Sequence, residues 1–275
     1  MMVSLVHHHL ASLPTDLLRL FVWLVILAAI FVPLERLFAL RPQRILRRGV
    51  AVDLAFFFLS GLLPSVLLGA PLALLATLTS AIIPNAWRAL LDGLPFGVRL
   101  AAALVAAEIG SYWGHRLSHE IPLLWRFHSV HHRAEQIDWL VNTRAHPVDL
   151  VFVRLCGLAA VYALGLAHVS AAGPDFVAIA AALFGTVWGF FVHANVRWRF
   201  GPLERLIATP AFHHWHHTSG EHVDRNYAAL FPWIDRLFGT LHLPRAAWPA
   251  DYGVRKEVPQ SYPLARTLSE TGSPN

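Results

Sequence analysis

Histidine is the residue type whose number and spacing point to chemistry in this chain. There are seventeen histidines among 275 residues, and eight of them fall into three tight groups. The groups are His115 and His119; His128, His131 and His132; and His213, His216 and His217. Residues three or four apart are neighbours on a helix surface, and neutral imidazole binds iron, copper, nickel and zinc. Two copies of the H-x-x-H-H spacing therefore predict a metal site.

The number of histidines also bears on the number of ions. One first-row metal ion cannot use eight imidazoles, whereas two ions with about four ligands each can. The sequence therefore predicts a dinuclear site. His146 and His193 begin and end a hairpin of two apolar runs, so each is a candidate for a further ligand or for a partner of a ligand.

Histidine ligands usually donate their second ring N–H to a carboxylate or a carbonyl. The candidates for this supporting role are Glu120, Asp149, Asp224, His214, His222 and Asn195. Asn195 is also a candidate for holding a metal-bound water. An arginine or a helix end is an equally good partner for each of the acids. The scarcity of carboxylates near the histidines separates the pattern from ferritin-like bundles, whose metal ligands are mainly Glu.

The composition indicates that such a site does not belong to a soluble protein. Hydrophobic residues make up 56% of the chain and charged residues 14%, compared with about 25% charged residues in soluble domains. This composition argues against a soluble enzyme. The arginines stand at the ends of apolar runs without forming a basic face, which argues against nucleic-acid binding. Cys156 is the sole cysteine, which excludes disulfides within the chain and thiolate metal sites.

Apolar runs long enough to approach a membrane span predict an all-α, integral membrane helical bundle with about four to five transmembrane spans. The runs cover residues 17–34, 50–83, 98–113, 148–167 and 176–192. Run 50–83 contains two prolines and is ambiguous between one kinked crossing and a crossing with a re-entrant piece. Arginines at 41–48, 116 and 197–205 predict that the histidine groups form a helical cap on the cytoplasmic side.

The same pattern divides the chain into three parts. Residues 1–97 form an N-terminal transmembrane region, residues 98–243 form the histidine-rich catalytic domain, and residues 244–275 form a polar tail. The tail contains several prolines and lacks periodicity, so we expect an extended or disordered end.

Beyond the histidine groups, the chain carries His146-Pro147, His193-Ala-Asn195 and a closing run from Asp224 to Thr240. Together these motifs resemble those of the fatty acid hydroxylase and sterol desaturase superfamily of membrane proteins, over about residues 98–240. The runs LLWRFHSVHH and GPLERLIATPAFHHWHH look particularly like those of alkylglycerol monooxygenases and bacterial sterol desaturase-like proteins. The closing run is similar to the family's NYG…WDRLFGT, with Ala228 in place of glycine and Ile234 inserted.

The resemblance implies a non-haem di-iron oxidoreductase. Such enzymes use O2 and two electrons to hydroxylate or desaturate a C–H bond of a lipid such as a sterol, a fatty acyl chain, an ether lipid or a carotenoid. The electrons would come from a separate electron-transfer protein of the ferredoxin or cytochrome type. The expected location is a bacterial inner membrane, as a multi-pass protein with a cytoplasmic active site.

Two other functions use the same residues. A zinc-dependent membrane hydrolase would need neither oxygen nor an electron donor. A non-catalytic metal-binding membrane protein, such as a transporter or a scaffold, would place ionisable residues near the bilayer midplane, whereas the histidines stand at the ends of the runs. A haem with two histidine ligands would leave the triplets unexplained.

Overall fold

The computed structural model describes residues 2–167 and 176–254. Within these residues the regular structure is helical, which confirms the all-α class, and two isolated β-bridges are present. His168 and residues 255–275 of the expected tail lie outside the described residues. The α-helices are α1 (Met2–Phe38), α2 (Val50–Leu67), α3 (Gly69–Ile82), α4 (Asn85–Asp92), α5 (Phe96–Glu120), α6 (Pro122–His132), α7 (Pro147–Ala163), α8 (Phe176–His193), α9 (Pro210–His216) and α10 (Pro232–Leu237). Short 3-10 turns occupy Trp139–Thr143 and Gly201–Arg205.

Within the described part of the chain, two helices are long and apolar enough to cross a membrane: one within Ser12–Leu37 of α1 and the other along α8. The number rises to four if each of two bent pairs forms one span: α2 with α3, bent by 42°, and α4 with α5, bent by 119°. The run at 148–167 forms α7, whose 17 residues are not among these candidates. The chain is therefore a helical membrane protein, with two to four candidate spans where the sequence predicted four or five.

Prolines begin four helices of the histidine-rich region. Pro122, Pro147, Pro210 and Pro232 each stand in the first turn of α6, α7, α9 and α10. Proline is favoured there because its fixed φ suits a helix and its missing N–H would have no partner within the helix. The local sequence therefore determines where the short helices of the cap begin.

Glycines allow α5 and α7 to pack at close range. A Cβ added at Gly110 would lie 2.3 Å from the backbone oxygen of Cys156, and one at Gly157 would lie 2.4 Å from Oγ of Ser111. Small residues let helix backbones approach in this way in membrane proteins, where helix packing replaces the hydrophobic effect as the source of association. The contact fixes the end of α5, where His115 and His119 stand.

A hydrophobic cluster joins the N-terminal helices to the histidine-rich cap. It contains Leu27 and Phe31 of α1, Phe57 of α2, Phe190 of α8, and Trp139 of the 3-10 turn Trp139–Thr143. The rings of Phe31 and Trp139 stack with centroids 5.9 Å apart. This cluster fixes the end of α8 and therefore the position of His193.

Residues 244–254, which belong to the expected polar tail, pack against the cap. Tyr252 is buried, and it pairs with Thr218 in an isolated antiparallel bridge. Arg41 lies over the Tyr252 ring at 4.4 Å and also donates to the Pro249 carbonyl. This part of the tail is ordered because its aromatic side chain covers α9 and the bonds of Arg41 hold its backbone.

Candidate metal centre

Among the described residues, nine histidines converge at one end of the bundle, eight of them from four helices and His217 from the residue after α9. They form two groups, each with ligand atoms that lie within 4.8 Å of one another. One group contains His115, His119, His128, His132 and His216; the other contains His131, His193, His213 and His217. The structure thus brings together all eight histidines of the three sequence groups and adds His193.

Each H-x-x-H-H box is divided between the two groups. His128 and His132 of α6 join the five-histidine group, while His131 joins the four-histidine group. On a helix, residue i+4 is offset by about 40° from residue i, whereas residue i+3 is offset by about 60° in the opposite direction. The first and third histidines of each box therefore face one group and the middle one faces the other. The second box repeats the division, with His216 as its middle histidine.

Within each group the ring nitrogens face one another at short range. In the five-histidine group, Nε2 of His128 lies 3.1 Å from Nε2 of both His115 and His132. In the four-histidine group, Nε2 of His193 lies 3.2 Å from that of His131, 3.0 Å from that of His213 and 3.2 Å from that of His217. Nitrogen atoms that share one ion at about 2.0–2.1 Å lie roughly 2.9–3.4 Å apart. The spacing in both groups suits one ion each.

Most of these rings are oriented by an acceptor for their Nδ1–H group. His119 donates to Asp224 at 2.9 Å and His128 donates to Asp149 at 2.9 Å. Backbone carbonyls accept from four others: Tyr227 from His115, Arg144 from His131, Gly189 from His193 and Arg225 from His216, at 2.6, 3.1, 2.7 and 2.9 Å. A proton on Nδ1 leaves the lone pair on Nε2, which faces the middle of the group.

The donor set fits a metal cation better than it fits a hydrogen-bond network. Burial lowers the pKa of His131, His132, His213, His216 and His217 well below the ordinary value, which keeps these rings neutral. The Nε2 atoms of His119 and His216 are buried without a hydrogen-bond partner. Buried polar atoms without a partner are costly, and facing lone pairs repel. A cation in the five-histidine group would remove both costs, and a cation in the four-histidine group would remove the repulsion between its facing nitrogens.

A braced loop presents two of the orienting carbonyls. Asp235 accepts from the backbone N–H groups of Tyr227 and Ala228 at 2.8 and 2.9 Å. Glu108 of α5 accepts from that of Leu230 at 2.6 Å. Asn226, in the left-handed region at φ 58, donates to the carbonyls of Phe212 and His242. These bonds fix the backbone of residues 225–231, from which Arg225 and Tyr227 hold His216 and His115.

A buried network of four charged side chains is connected to the four-histidine group. Arg47 binds Asp138 through two bonds of 2.5 and 2.6 Å and binds Asp53 of α2 at 2.6 Å. Arg144 also donates to Asp53, and its own carbonyl accepts from His131. The charges compensate one another, as buried ions must. The network therefore ties α2 and the loop before it to a histidine of the four-histidine group.

The other predicted residues have different surroundings. The structure does not bring His146 into either group: its Nδ1 accepts from the backbone of Val148 at the start of α7, and its ring packs on Phe127. Asn195 uses both side-chain atoms on the backbone of Arg41, at 3.1 and 2.8 Å. Glu120 pairs with Arg116 at 2.7 Å. No bond from a histidine of the centre to Glu120 is present among the described residues.

The two remaining histidines of the prediction also differ in position. His214 is fully buried beside the centre, with Nδ1 2.7 Å from the Tyr252 hydroxyl and Nε2 3.2 Å from the Ala194 carbonyl. Burial lowers its pKa to about 3, so it is neutral and serves as a link between α8, α9 and the 244–254 segment. His222 is exposed and stacks on His242 with ring centroids 3.9 Å apart, away from both groups.

Sequence reasoning missed the carbonyl acceptors and the charge network. Backbone carbonyls carry no signal in residue type, so the roles of Gly189, Arg144, Arg225 and Tyr227 could not be found in this way. A signal for the network did exist, because Asp53 is the one charge in the apolar run at 50–83. A charge at such a position indicates a buried partner or a functional site.

Fold and centre together define the class of this chain: a helical membrane protein that gathers histidines, eight of the nine buried, into two adjoining groups suited to metal ions. The particular family follows from comparison with known proteins. The family model described as Fatty acid hydroxylase matches residues 100–240, and the chain belongs to that family. The sequence-based identification is thereby confirmed.

The relatives of the chain act on lipids according to their names. It is 35% identical to the ornithine lipid hydroxylase OlsE of Rhizobium tropici over 66% of this chain and 54% of the relative. It is 29% identical to the alkylglycerol monooxygenase of Homo sapiens over 50% of this chain and 29% of the relative. It is 31% identical to the very-long-chain aldehyde decarbonylase GL1-8 of Oryza sativa subsp. indica over 47% of this chain and 46% of the relative. The chain thus spans about half the length of these relatives or less. No solved structure matches it significantly.

Proposed function

We propose that this protein is a membrane-bound, non-haem di-iron oxidoreductase that hydroxylates or desaturates a C–H bond of a lipid. The observation that carries the proposal is the division of nine histidines into two adjoining groups whose Nε2 atoms face one another. Family membership supports it, since the relatives include an ornithine lipid hydroxylase and an alkylglycerol monooxygenase.

The proposed ligands are the nine histidines of the two groups. Iron held there would supply the oxidising power that an unactivated C–H bond requires, with O2 and two external electrons. The protein side chains orient the ligands: Asp149 and Asp224 fix two of the rings by charge-assisted bonds, and the loop carbonyls fix others. Eight of the nine histidines are buried, and such burial would limit the access of water to the centre and so the side reactions of a strong oxidant.

The proposed substrate is a membrane lipid that reaches the centre from the bilayer. Trp125 supports this, because its half-buried ring packs on His119 and His132 with centroids 5.1 and 5.5 Å apart. It offers an apolar surface directly beside the five-histidine group. A sterol, a fatty acyl chain, an ether lipid and a carotenoid are all candidates.

The proposed electron donor is a separate acidic protein of the ferredoxin or cytochrome type. Arg126, Arg133 and Arg197 are exposed in the histidine-rich region and would attract such a partner. The same arginines support an inner-membrane location with the centre on the cytoplasmic side. A zinc hydrolase is less well supported, because hydroxylase and monooxygenase relatives use oxidative chemistry by name.

The test is lipid analysis by mass spectrometry in cells that express the chain with a reductase system. The expected result is a lipid heavier by one oxygen atom or lighter by two hydrogen atoms, formed in air and not under anaerobic conditions. His131→Ala and His216→Ala each remove one ligand, from different groups, and should abolish the product. His222→Ala is the matched control and should retain it. Product formation without oxygen, or by either ligand variant, would refute the proposal.

A further inference from the structure

The loop between α1 and α2 contains a cavity that the metal centre does not use. Its volume is about 750 Å³, and it is a shallow cavity that is open to the surface beside the end of α1. The lining residues are Arg36, Pro42, Gln43, Arg44, Ile45 and Leu46. Arg36 and Arg44 are exposed, and the lining contains no acidic residue. The cavity therefore has the charge to receive an anion.

The apolar side chains of Ile45 and Leu46 line the same cavity, and Leu37 is the chain neighbour of its lining residue Arg36. Leu37, Ile45 and Leu46 are 69%, 53% and 80% exposed, although aliphatic residues are normally buried in a protein that meets only water. The candidate span in α1 ends at Leu37, so the loop follows directly on the membrane-crossing segment. Aliphatic residues beside arginines at this level match the boundary between acyl chains and phosphate headgroups.

The cavity is held in shape by bonds to the rest of the protein. Arg36 donates to the Gln43 carbonyl at 2.9 Å, and the Gln43 side chain donates to the Ile137 carbonyl at 2.8 Å. The backbone of Arg41 pairs with the Asn195 side chain. Asn195 stands two residues after His193 of the metal centre. A ligand bound here would therefore contact a loop that is fixed to the end of α8.

We propose that this cavity binds the phosphate of an anionic phospholipid from the surrounding bilayer. Arg36 and Arg44 receive the phosphate, and the acyl chains lie along Leu37, Ile45 and Leu46. The lipid is a resident ligand of the membrane boundary, so the proposal stands whether or not the histidine groups oxidise lipids.

The test uses the full chain in detergent, titrated with phosphatidylglycerol or phosphatidylcholine and observed by native mass spectrometry. Each arginine near a lipid surface contributes about 1 kcal/mol, and about 1.4 kcal/mol is a factor of ten. Arg36→Gln with Arg44→Gln should therefore weaken phosphatidylglycerol binding roughly thirtyfold. The control pair Arg205→Gln with Arg245→Gln removes two exposed arginines outside the cavity and should leave binding unchanged.

Several outcomes would overturn the proposal. These are equal binding of both lipids by the wild type, unchanged binding by the double variant, or a dimer in place of a lipid adduct. Displacement of phosphatidylglycerol by inorganic phosphate would instead identify a site for soluble phosphate. If the double variant fails to fold, Arg44→Gln alone is measured, with about a fivefold weakening expected.

Discussion

Asp149→Asn distinguishes the two histidine groups. Asp149 is buried in α7, and its carboxylate accepts from Nδ1 of His128 at 2.9 Å and from Ser118 at 3.2 Å. His128 belongs to the five-histidine group. No contact of Asp149 with the four-histidine group is present in the described residues. Loss of this charge should therefore weaken metal binding in one group and leave the other unchanged.

The magnitude follows from the bond that is altered. A hydrogen bond to a charged group contributes about 1.5–3 kcal/mol, and removal of a carboxylate that supports a histidine ligand costs about 10–100-fold in metal affinity. The second range corresponds to about 1.4–2.7 kcal/mol, so the two estimates agree. Asparagine is similar in size and retains one acceptor oxygen, so we expect a loss of affinity rather than unfolding.

The assay is iron content per chain during titration with a chelator. Wild-type protein should release its iron in two steps or in one late step as the chelator concentration rises. Asp149→Asn should lose about half of its iron at a chelator concentration tenfold to a hundredfold lower. Glu120→Gln is the matched control, because Glu120 follows His119 as the last residue of α5 but its carboxylate pairs with Arg116. Its iron should be held as in the wild type.

Two results would refute this reasoning. If Asp149→Asn keeps all its iron at the wild-type chelator strength, the carboxylate does not support a metal ligand. If Glu120→Gln loses as much iron as Asp149→Asn, the effect reflects the general charge of the region and not the bond to His128.

Three further predictions concern residues with contrasting surroundings. His193→Ala should lower the iron content by about half, because His193 belongs to the four-histidine group. His146→Ala should keep both ions and lose about 1 kcal/mol of stability, because His146 caps the start of α7. Metal analysis and melting temperatures distinguish these two effects. Asp53→Asn leaves the buried network around Arg144 with uncompensated positive charge, so we expect the free energy of unfolding to fall by about 3–5 kcal/mol. A melting temperature in detergent equal to that of the wild type would contradict this prediction. Gly110→Ala should destabilise by about 1–3 kcal/mol through a clash with α7, while Gly97→Ala, which meets nothing within 4 Å, should be neutral or stabilising in the same measurement.

Much of the centre could be predicted from spacing. The three histidine groups are local patterns, and the helical repeat alone places residues three and four apart near one another. Asp149 and Asp224 were among the predicted partners of ligands, and in the structure they accept from His128 and His119; that these two histidines bind metal stays a prediction. The spans at α1 and α8 followed from hydropathy, which depends only on composition over about twenty residues.

Other roles depended on contacts between distant parts of the chain. The sequence left His146 and His193 as equal candidates, and only the packing of α8 brings His193 beside His131 and His213. Asn195, Glu120 and His222 stand close in sequence to the centre, yet their side chains bind Arg41, Arg116 and His242. Proximity in sequence does not determine the direction of a side chain after a helix ends.

The sequence by itself determined that this is a helical membrane protein of the fatty acid hydroxylase family with eight clustered histidines, because composition and short-range spacing carry that information. Only the tertiary structure decided how those histidines divide. His131 leaves its two box partners and joins residues of α8 and α9, while His216 joins residues of α5 and α6. The reason is that each box determines the angles of its own side chains, whereas the helices that meet those side chains come from distant parts of the chain.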